Sequence, residues 1–336
     1  MAAERRRVAV TGGAGFIGSH LVDALVARGD HVVVIDNLSV GRRENLARHL
    51  PSGRVELHVG DVLDGDRLTP LFDGVATVFH LATQCIRVSL FDPELVHKVN
   101  TEGTLRVLTA AVAARIRRFV YVSSSEAFGS AKTVPMSEDH PRDPTTIYGA
   151  SKLAGEHYTM AFHRTYGLET VIARPFNTYG PRAHFEGAYG ELIPKSVVRI
   201  LSGRPPLIFG DGEQTRDFTY VEDTVRGILL AGDSDLVGES VNIARGEEVT
   251  VNRVVDLILR ECGRADLRAE HGPDRPADVR RHYGDISRAR RELGFAPLVD
   301  ITDGIRRYVH WFRDAYPDIG AVAAQEQPVN WQPIPK

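Results

Sequence analysis

The opening of the chain alternates short apolar runs with helical patterns. Arg7–Val10 is an apolar run, TGGAGFIG interrupts it with glycines, and SHLVDALVARG then spaces apolar residues for one helix face. Strand, tight turn and helix are predicted in that order. Val32–Asp36 (VVVID) has almost no polar position, as expected for a parallel strand covered on both faces. Val55–Val59, Thr77–Leu81, Phe119–Ser123, Thr170–Arg174 and Val241–Ala244 continue the series, with helices predicted over Glu94–Ala114 and Ala150–Thr165. Strands alternating with helices predict right-handed crossovers and an α/β fold with a doubly wound parallel sheet.

After residue 175 the texture changes. Residues 176–216 are rich in Gly, Pro, His and Arg, with one helix near Pro194–Ser202, and Val251–Glu261 and Asp285–Leu293 read as further helices. The expected division is a dinucleotide-binding domain over 1–175, with returning segments near 217–245. A smaller C-terminal substrate lobe is expected from 176–216 and 246–320. Residues 321–336, with three prolines and few apolar positions, read as a poorly packed tail.

Composition narrows the partners. A net charge of -3 over 336 residues offers no concentrated basic surface for nucleic acid or membrane. Two cysteines, Cys85 and Cys262, exclude a disulfide framework and a multi-cysteine zinc site, and no metal is expected. No apolar run has the length of a membrane span or a signal peptide, so a cytoplasmic protein is expected.

Gly12, Gly15 and Gly18 form G-x-x-G-x-x-G directly after a strand and at the start of a helix. Bare glycines let the backbone approach a pyrophosphate, and the helix N-terminus adds amide donors and partial positive charge. Asp36 ends the second strand, placed to accept from a ribose hydroxyl and to repel the extra phosphate of NADP, so NAD is the expected cofactor. Arg42 and Arg43 are the counter-indication. Phe16, Ile17, Asn37, Asp61, Val62, Leu81, Ala82 and Asn100 are further cofactor candidates, at or just past strand ends or in the following helix, where an open parallel sheet collects ligands.

Tyr148 and Lys152 stand four apart, on one helix face. A lysine ammonium beside a phenol lowers its pKa and suits Tyr148 to act as a base. The pair gains weight from Ser123-Ser124-Ser125-Glu126 at the end of the fifth predicted strand. Cys85 reads as a small core residue and His184 as a turn residue.

TGGAGFIG, Asp36, SSSEAFG, YGASK, RPFNTYGPR, GDGEQTRDFTYVED and RPADVRRHYGD together resemble the NAD-dependent epimerase/dehydratase family of extended short-chain dehydrogenases, from about residue 7 to residue 315. The resemblance implies a Rossmann-like enzyme whose tightly held NAD oxidises carbon 4 of a nucleotide-linked hexose and is re-oxidised within the turnover. It implies that Ser124 donates to the reacting oxygen, Tyr148 is the base, and Lys152 holds the nicotinamide ribose and tunes Tyr148. Asn177, Arg216 and Arg275 match diphosphate contacts, Glu191-Leu192-Ile193 the grip on the base, and Asp278 an acid near the nucleoside ribose. UDP is the favoured carrier, and a homodimer through the helices around 95–114 and 150–165 is expected.

Glu126 bears on the reaction. A 4-epimerase needs only Ser124, Tyr148 and Lys152, whereas members acting at carbon 5 carry Glu at this position. A 4-keto group acidifies the carbon-5 hydrogen, which a carboxylate removes before protonating the departing hydroxyl. The leading expectation is 4,6-dehydration. Ser125, a substrate-contact candidate, replaces the Asp frequent in hexose dehydratases, so a 4-epimerase, a UDP-glucuronate decarboxylase and a non-catalytic sensor stay open.

Overall fold

The computed structural model describes residues 6–274 and 279–330. Seven parallel strands form the central sheet: β1 (Arg7–Thr11), β2 (His31–Asp36), β3 (Val55–Val59), β4 (Thr77–His80), β5 (Arg118–Val122), β6 (Glu169–Pro175) and an edge strand, Glu239–Ile243. Their order across the sheet is Glu239–Ile243, β6, β5, β4, β1, β2, β3. The chain winds one way from β1 to β3 and the other way from β4 onward. The crevice where the winding reverses lies beyond the carboxyl ends of β1 and β4, the place such sheets bind ligands.

Period-two alternation divides the strands between two cores. Val8, Val10, Val32 and Val34 face Leu21 and Leu25 of the helix Phe16–Ala27, together with Val225 and Ile228 of the helix Val221–Asp233. Ala9, Val33, Ile35 and Val78 face Val107, Leu108 and Ala111 of the helix Gly103–Ala113. Apolar residues on both sides explain why β1 and β2 read as continuous hydrophobic runs. A third core, around Ile193, Val197, Val254, Ile258, Tyr308 and Phe312, holds the smaller C-terminal layer together.

Several elements differ from the sequence reading. The helix Ile147–Tyr166 starts earlier, so Tyr148 sits in its first turn, and the Thr146 hydroxyl caps it by accepting from the Gly149 amide (3.0 Å). The long helix after Asp92 is interrupted by a π-helical turn, Lys98–Glu102. The helices Val221–Asp233 and Ile301–Ala315 had not been read from the sequence. Glycine obscures the first: Gly227 and Gly232 lower helix propensity, yet a Cβ at Gly232 would meet the Phe79 ring at 2.9 Å. The expectation of a poorly packed tail is corrected as far as residue 330. Ile319–Ala323 is a helical turn, and Glu326 and Asn330 are buried by polar partners that an apolarity pattern cannot register. No helix among the described residues is long and apolar enough to cross a membrane.

At the centre lies a buried ion pair. Arg174, on β6, makes two hydrogen bonds to Glu156 on the helix Ile147–Tyr166 (2.6 and 2.8 Å), and the Ser123 hydroxyl donates to the same carboxylate (2.6 Å). Burial works to raise the Glu156 pKa; Arg174 overcomes it and holds the carboxyl below its usual range. Arg174→Ala strands this carboxylate, and urea denaturation at pH 7 is expected to show a loss of roughly 3–5 kcal/mol. Because the folded-state pKa is depressed, the pair's contribution is complete above the unfolded carboxylate range. It fades as pH falls through the folded value, so the gap between variant and wild type should narrow in acid.

Candidate active site

The turn from β1 into the first helix is shaped by contacts that exclude side chains. Gly12 has φ +71, and a Cβ there would lie 2.8 Å from the Ala82 amide nitrogen. Its own amide donates to the Ile35 carbonyl (2.8 Å), tying β1 to the end of β2. Asp36 accepts from the Ala14 and Leu38 amides, each at 2.9 Å. Burial raises its carboxyl above the ordinary range against the pull of those two amides. Gly41 passes so close that a side chain would meet the Asp36 carboxylate at 2.7 Å. Asn37 donates to Asp61 (2.8 Å), fixing both at the same mouth.

These residues open onto a cavity of ≈ 340 Å³ whose wall includes every predicted cofactor residue except Asn100. Bare glycines, an acid at the end of β2 and apolar Val62, Leu81 and Ala82 make a cradle that fits a dinucleotide. Arg42, the counter-indication, is engaged elsewhere. It donates to Glu186 (2.6 Å) and to Tyr316, which leaves Asp36 to set the charge at the ribose position. Asn100 is a correction: it is buried behind the wall, accepts from the Gln84 amide (2.7 Å) and donates to the Ser151 hydroxyl (3.0 Å). The π-helical turn aims its amide at the loop after β4.

Across the cavity the end of β5 meets the helix Ile147–Tyr166. The Ser124 hydroxyl lies near enough to the Tyr148 phenol to oppose its rise in pKa, and the Glu126 amide donates to the Ser124 oxygen (3.2 Å). Ser124, Ser125, Glu126, Tyr148 and Lys152 all line the cavity. Gly149 permits this approach, because a Cβ there would collide with the Glu126 carbonyl. Lys152 donates to the Val122 carbonyl (2.7 Å) and lies 4.7 Å from the Tyr121 ring centre, and burial lowers its pKa to about 7. Enclosure pushes the Tyr148 phenol well above 10; the Ser124 hydroxyl opposes that rise and Glu126 adds to it.

A second cavity of ≈ 160 Å³ adjoins the first, with Arg87, Asn177, Thr178 and Glu191 lining both. Leu192, Ile193 and Arg216 line the second. The Asn177 Oδ1 is buried at the junction without a hydrogen-bond donor. Arg216 donates to the carbonyls of Thr215 (2.7 Å) and Val279 (2.5 Å). Arg275 and Asp278 lie outside the described residues. Arg87 was missed by the sequence reading: almost fully buried, it grips Glu191 with two hydrogen bonds (2.5 and 3.2 Å) and donates to the carbonyls of Ala188 and Tyr189 (both 2.8 Å). A lone arginine inside the apolar run IRVSL, just past a strand end, was the available signal. Cys85 and His184, read as packing and turn residues, both line the first cavity because the loops after β4 and β6 converge on it. The His184 Nδ1 faces Glu186 at 3.0 Å.

The sheet, the glycine cradle and the Ser-Tyr-Lys face define a Rossmann-type enzyme with two adjoining cavities. The family described as GDP-mannose 4,6 dehydratase matches residues 9–308. A UDP-glucose 4-epimerase of Mycolicibacterium smegmatis is 39% identical over 312 residues, covering 92% of this chain and 99% of its own. A dTDP-glucose 4,6-dehydratase of Actinoplanes is 36% identical over 317 residues, covering 91% and 98%. Among solved structures, the dTDP-glucose 4,6-dehydratase of Streptomyces venezuelae with NAD bound superimposes with a TM-score of 0.88 at 34% identity, over 93% of this chain and 98% of that one. The chain belongs to the NAD-dependent epimerase/dehydratase family.

The Tyr148 geometry has a direct optical consequence. In cofactor-free protein, alkaline titration followed by tyrosinate absorbance should give the same curve for wild type and Tyr148→Phe up to about pH 10. A tyrosinate titrating near pH 7 in wild type and missing from the variant would show that Lys152, not burial, sets this phenol.

Proposed function

We propose that this enzyme holds NAD in the first cavity and a nucleotide-diphosphate hexose, with UDP as the leading carrier, across the second. In this reading it oxidises the sugar at carbon 4 and eliminates water between carbons 5 and 6. The observation that carries it is the convergence of Ser124, Glu126, Tyr148 and Lys152 on the wall of the cavity that the glycine turn and Asp36 open.

NAD, when bound, supplies the reversible two-electron oxidation at carbon 4. Tyr148 takes the proton of the carbon-4 hydroxyl while Ser124 donates a hydrogen bond to that oxygen. Lys152, one helical turn on, is the cation available to bring the phenol down for this role. The 4-keto group then acidifies the carbon-5 hydrogen, which Glu126 removes and passes to the departing carbon-6 hydroxyl, releasing water. The carbon-5–carbon-6 double bond left behind would take the hydride back at carbon 6 while Tyr148 gives its proton to carbon 5, so carbon 4 stays a ketone and bound NAD would be re-oxidised. Asn177 and Arg216 serve the diphosphate, whose geometry suits amide and guanidinium donors, and Glu191, Leu192 and Ile193 flank the nucleoside. The coenzyme is NAD rather than NADP because Asp36 faces the ribose and Arg42 is committed to Glu186.

One observation favours a second reading, 4-epimerisation. Ser125 stands where an acid would assist elimination, and its carbonyl is tied to His282 Nε2 (3.2 Å). A homodimer through the Ile147–Tyr166 helix and its neighbour belongs to the same proposal, and light scattering would test it by giving twice the chain mass.

Tyr148→Phe is expected to lower turnover at least roughly a hundredfold while calorimetry shows NAD binding little changed. Near-normal turnover removes Tyr148 from its role. Mass analysis of products from UDP- and dTDP-hexoses separates the two reactions, since dehydration loses the mass of water and epimerisation changes retention alone. Glu126→Gln should abolish water loss while carbon-4 oxidation survives; continued water loss would show that the base lies elsewhere.

A further inference from the structure

Residues 325–330 lie past the end of the family match at residue 308, and 91–92% of this chain spans 98–99% of the M. smegmatis and Actinoplanes relatives. The segment is nevertheless built into the second cavity, where Pro328 and Asn330 form wall alongside Ile193, Phe209 and Arg216. Its seating is polar. The Gly187 amide donates to the Gln325 carbonyl (3.1 Å) and Lys195 Nζ to the Pro328 carbonyl (2.9 Å). Asn330 Nδ2 donates to the Gly190 carbonyl (2.9 Å) and lies 3.4 Å from those of Gly187 and Ala188.

Glu326 anchors the middle of the segment. Its side chain is fully buried among three cations: Arg204 at 3.3 Å, Arg199 at 3.5 Å and Lys195 at 3.8 Å. Desolvating a carboxylate is tolerated only against paired charge, so this contact fixes where the chain crosses the lobe. Lys195 and Arg199 also line the cavity, and Glu326 takes up part of their charge. The apolar side chains of Ile193, Leu207, Phe209 and Val251 on the same wall give that end a surface suited to a flat ring. The opposite end, shared with the first cavity, holds Arg87 and the donor-lacking Asn177 Oδ1.

We propose that residues 325–330 are a substrate-binding strap that completes the pocket for the nucleoside of the nucleotide sugar. Asn330 positions the strap, and Pro328 stands against the base or its ribose. The inference rests on the reading of the second cavity as the nucleotide-sugar site, and the test separates the two. Calorimetry on the full chain titrates UDP, and NAD separately, into wild type, Asn330→Ala and a chain ending at residue 324. The expected result is roughly tenfold weaker UDP binding in both variants, the effect of about one to two lost hydrogen-bond equivalents, with NAD affinity within about twofold of wild type. UDP affinity unchanged in both variants overturns the strap while leaving the nucleotide-sugar reading standing. If the shortened chain also loses NAD, its fold is lost and Asn330→Ala decides alone: tenfold weaker UDP binding upholds the strap, and wild-type affinity overturns it. Wild type that binds neither UDP, dTDP nor GDP overturns the nucleotide-sugar reading and the strap with it.

Discussion

The buried contact between Arg174 and Glu156 ties together the three elements that make the reacting face. Arg174 comes from β6, Glu156 from the helix that carries Tyr148 and Lys152, and Ser123, at the end of β5, donates to the same carboxylate. Glu156 stands one turn beyond Lys152 and two beyond Tyr148, so the helix is held lengthwise at the depth where its first turn meets Ser124. A hydrophobic contact would permit sliding by a fraction of a turn; a forked guanidinium–carboxylate pair does not. The pair is thus better understood as register than as stability, since buried ion pairs are weak evidence of net stabilisation.

The second constraint is the reversal of winding between β1 and β4. It puts the glycine turn after β1 and the loop after β4 side by side, close enough that a Cβ on Gly12 would meet Ala82. The loop after β4 carries Gln84, Cys85 and Arg87, and Asn100 holds its backbone from behind. The glycine cradle and the second cavity are therefore joined through this loop, with Arg87 at the seam. What the sheet topology opens, the buried polar groups of the following helix keep in shape.

This division explains what was legible in the sequence. Gly12, Gly15, Gly18 and Asp36 act through local backbone geometry, so their spacing alone announces them. Tyr148 and Lys152 are a helical i, i+4 pair, equally local. Arg87, His184 and Tyr189 reach the cavity only because distant loops converge, and nothing in their immediate neighbours encodes that. For Asn100, a position just past a strand predicts proximity to the crevice but not the direction of its amide, which holds the Gln84 backbone. Spacing likewise places Lys152 near Tyr148 but does not reveal the Val122 carbonyl, on another element, that accepts from its ammonium.

Electrostatic pairing in the cleft completes the picture. Arg87 is paired with Glu191 and Arg42 with Glu186, while Lys195, Arg199 and Arg204 share the single carboxylate of Glu326. The cleft therefore keeps a local excess of positive charge in a chain whose net charge is -3. Of these five cations only Arg87 also lines the first cavity, so its pairing with Glu191 sets the charge at the seam between the two. Glu191 is half-exposed while Arg87 is almost fully buried, so the cation is the fixed member of the pair and the carboxylate the one able to move.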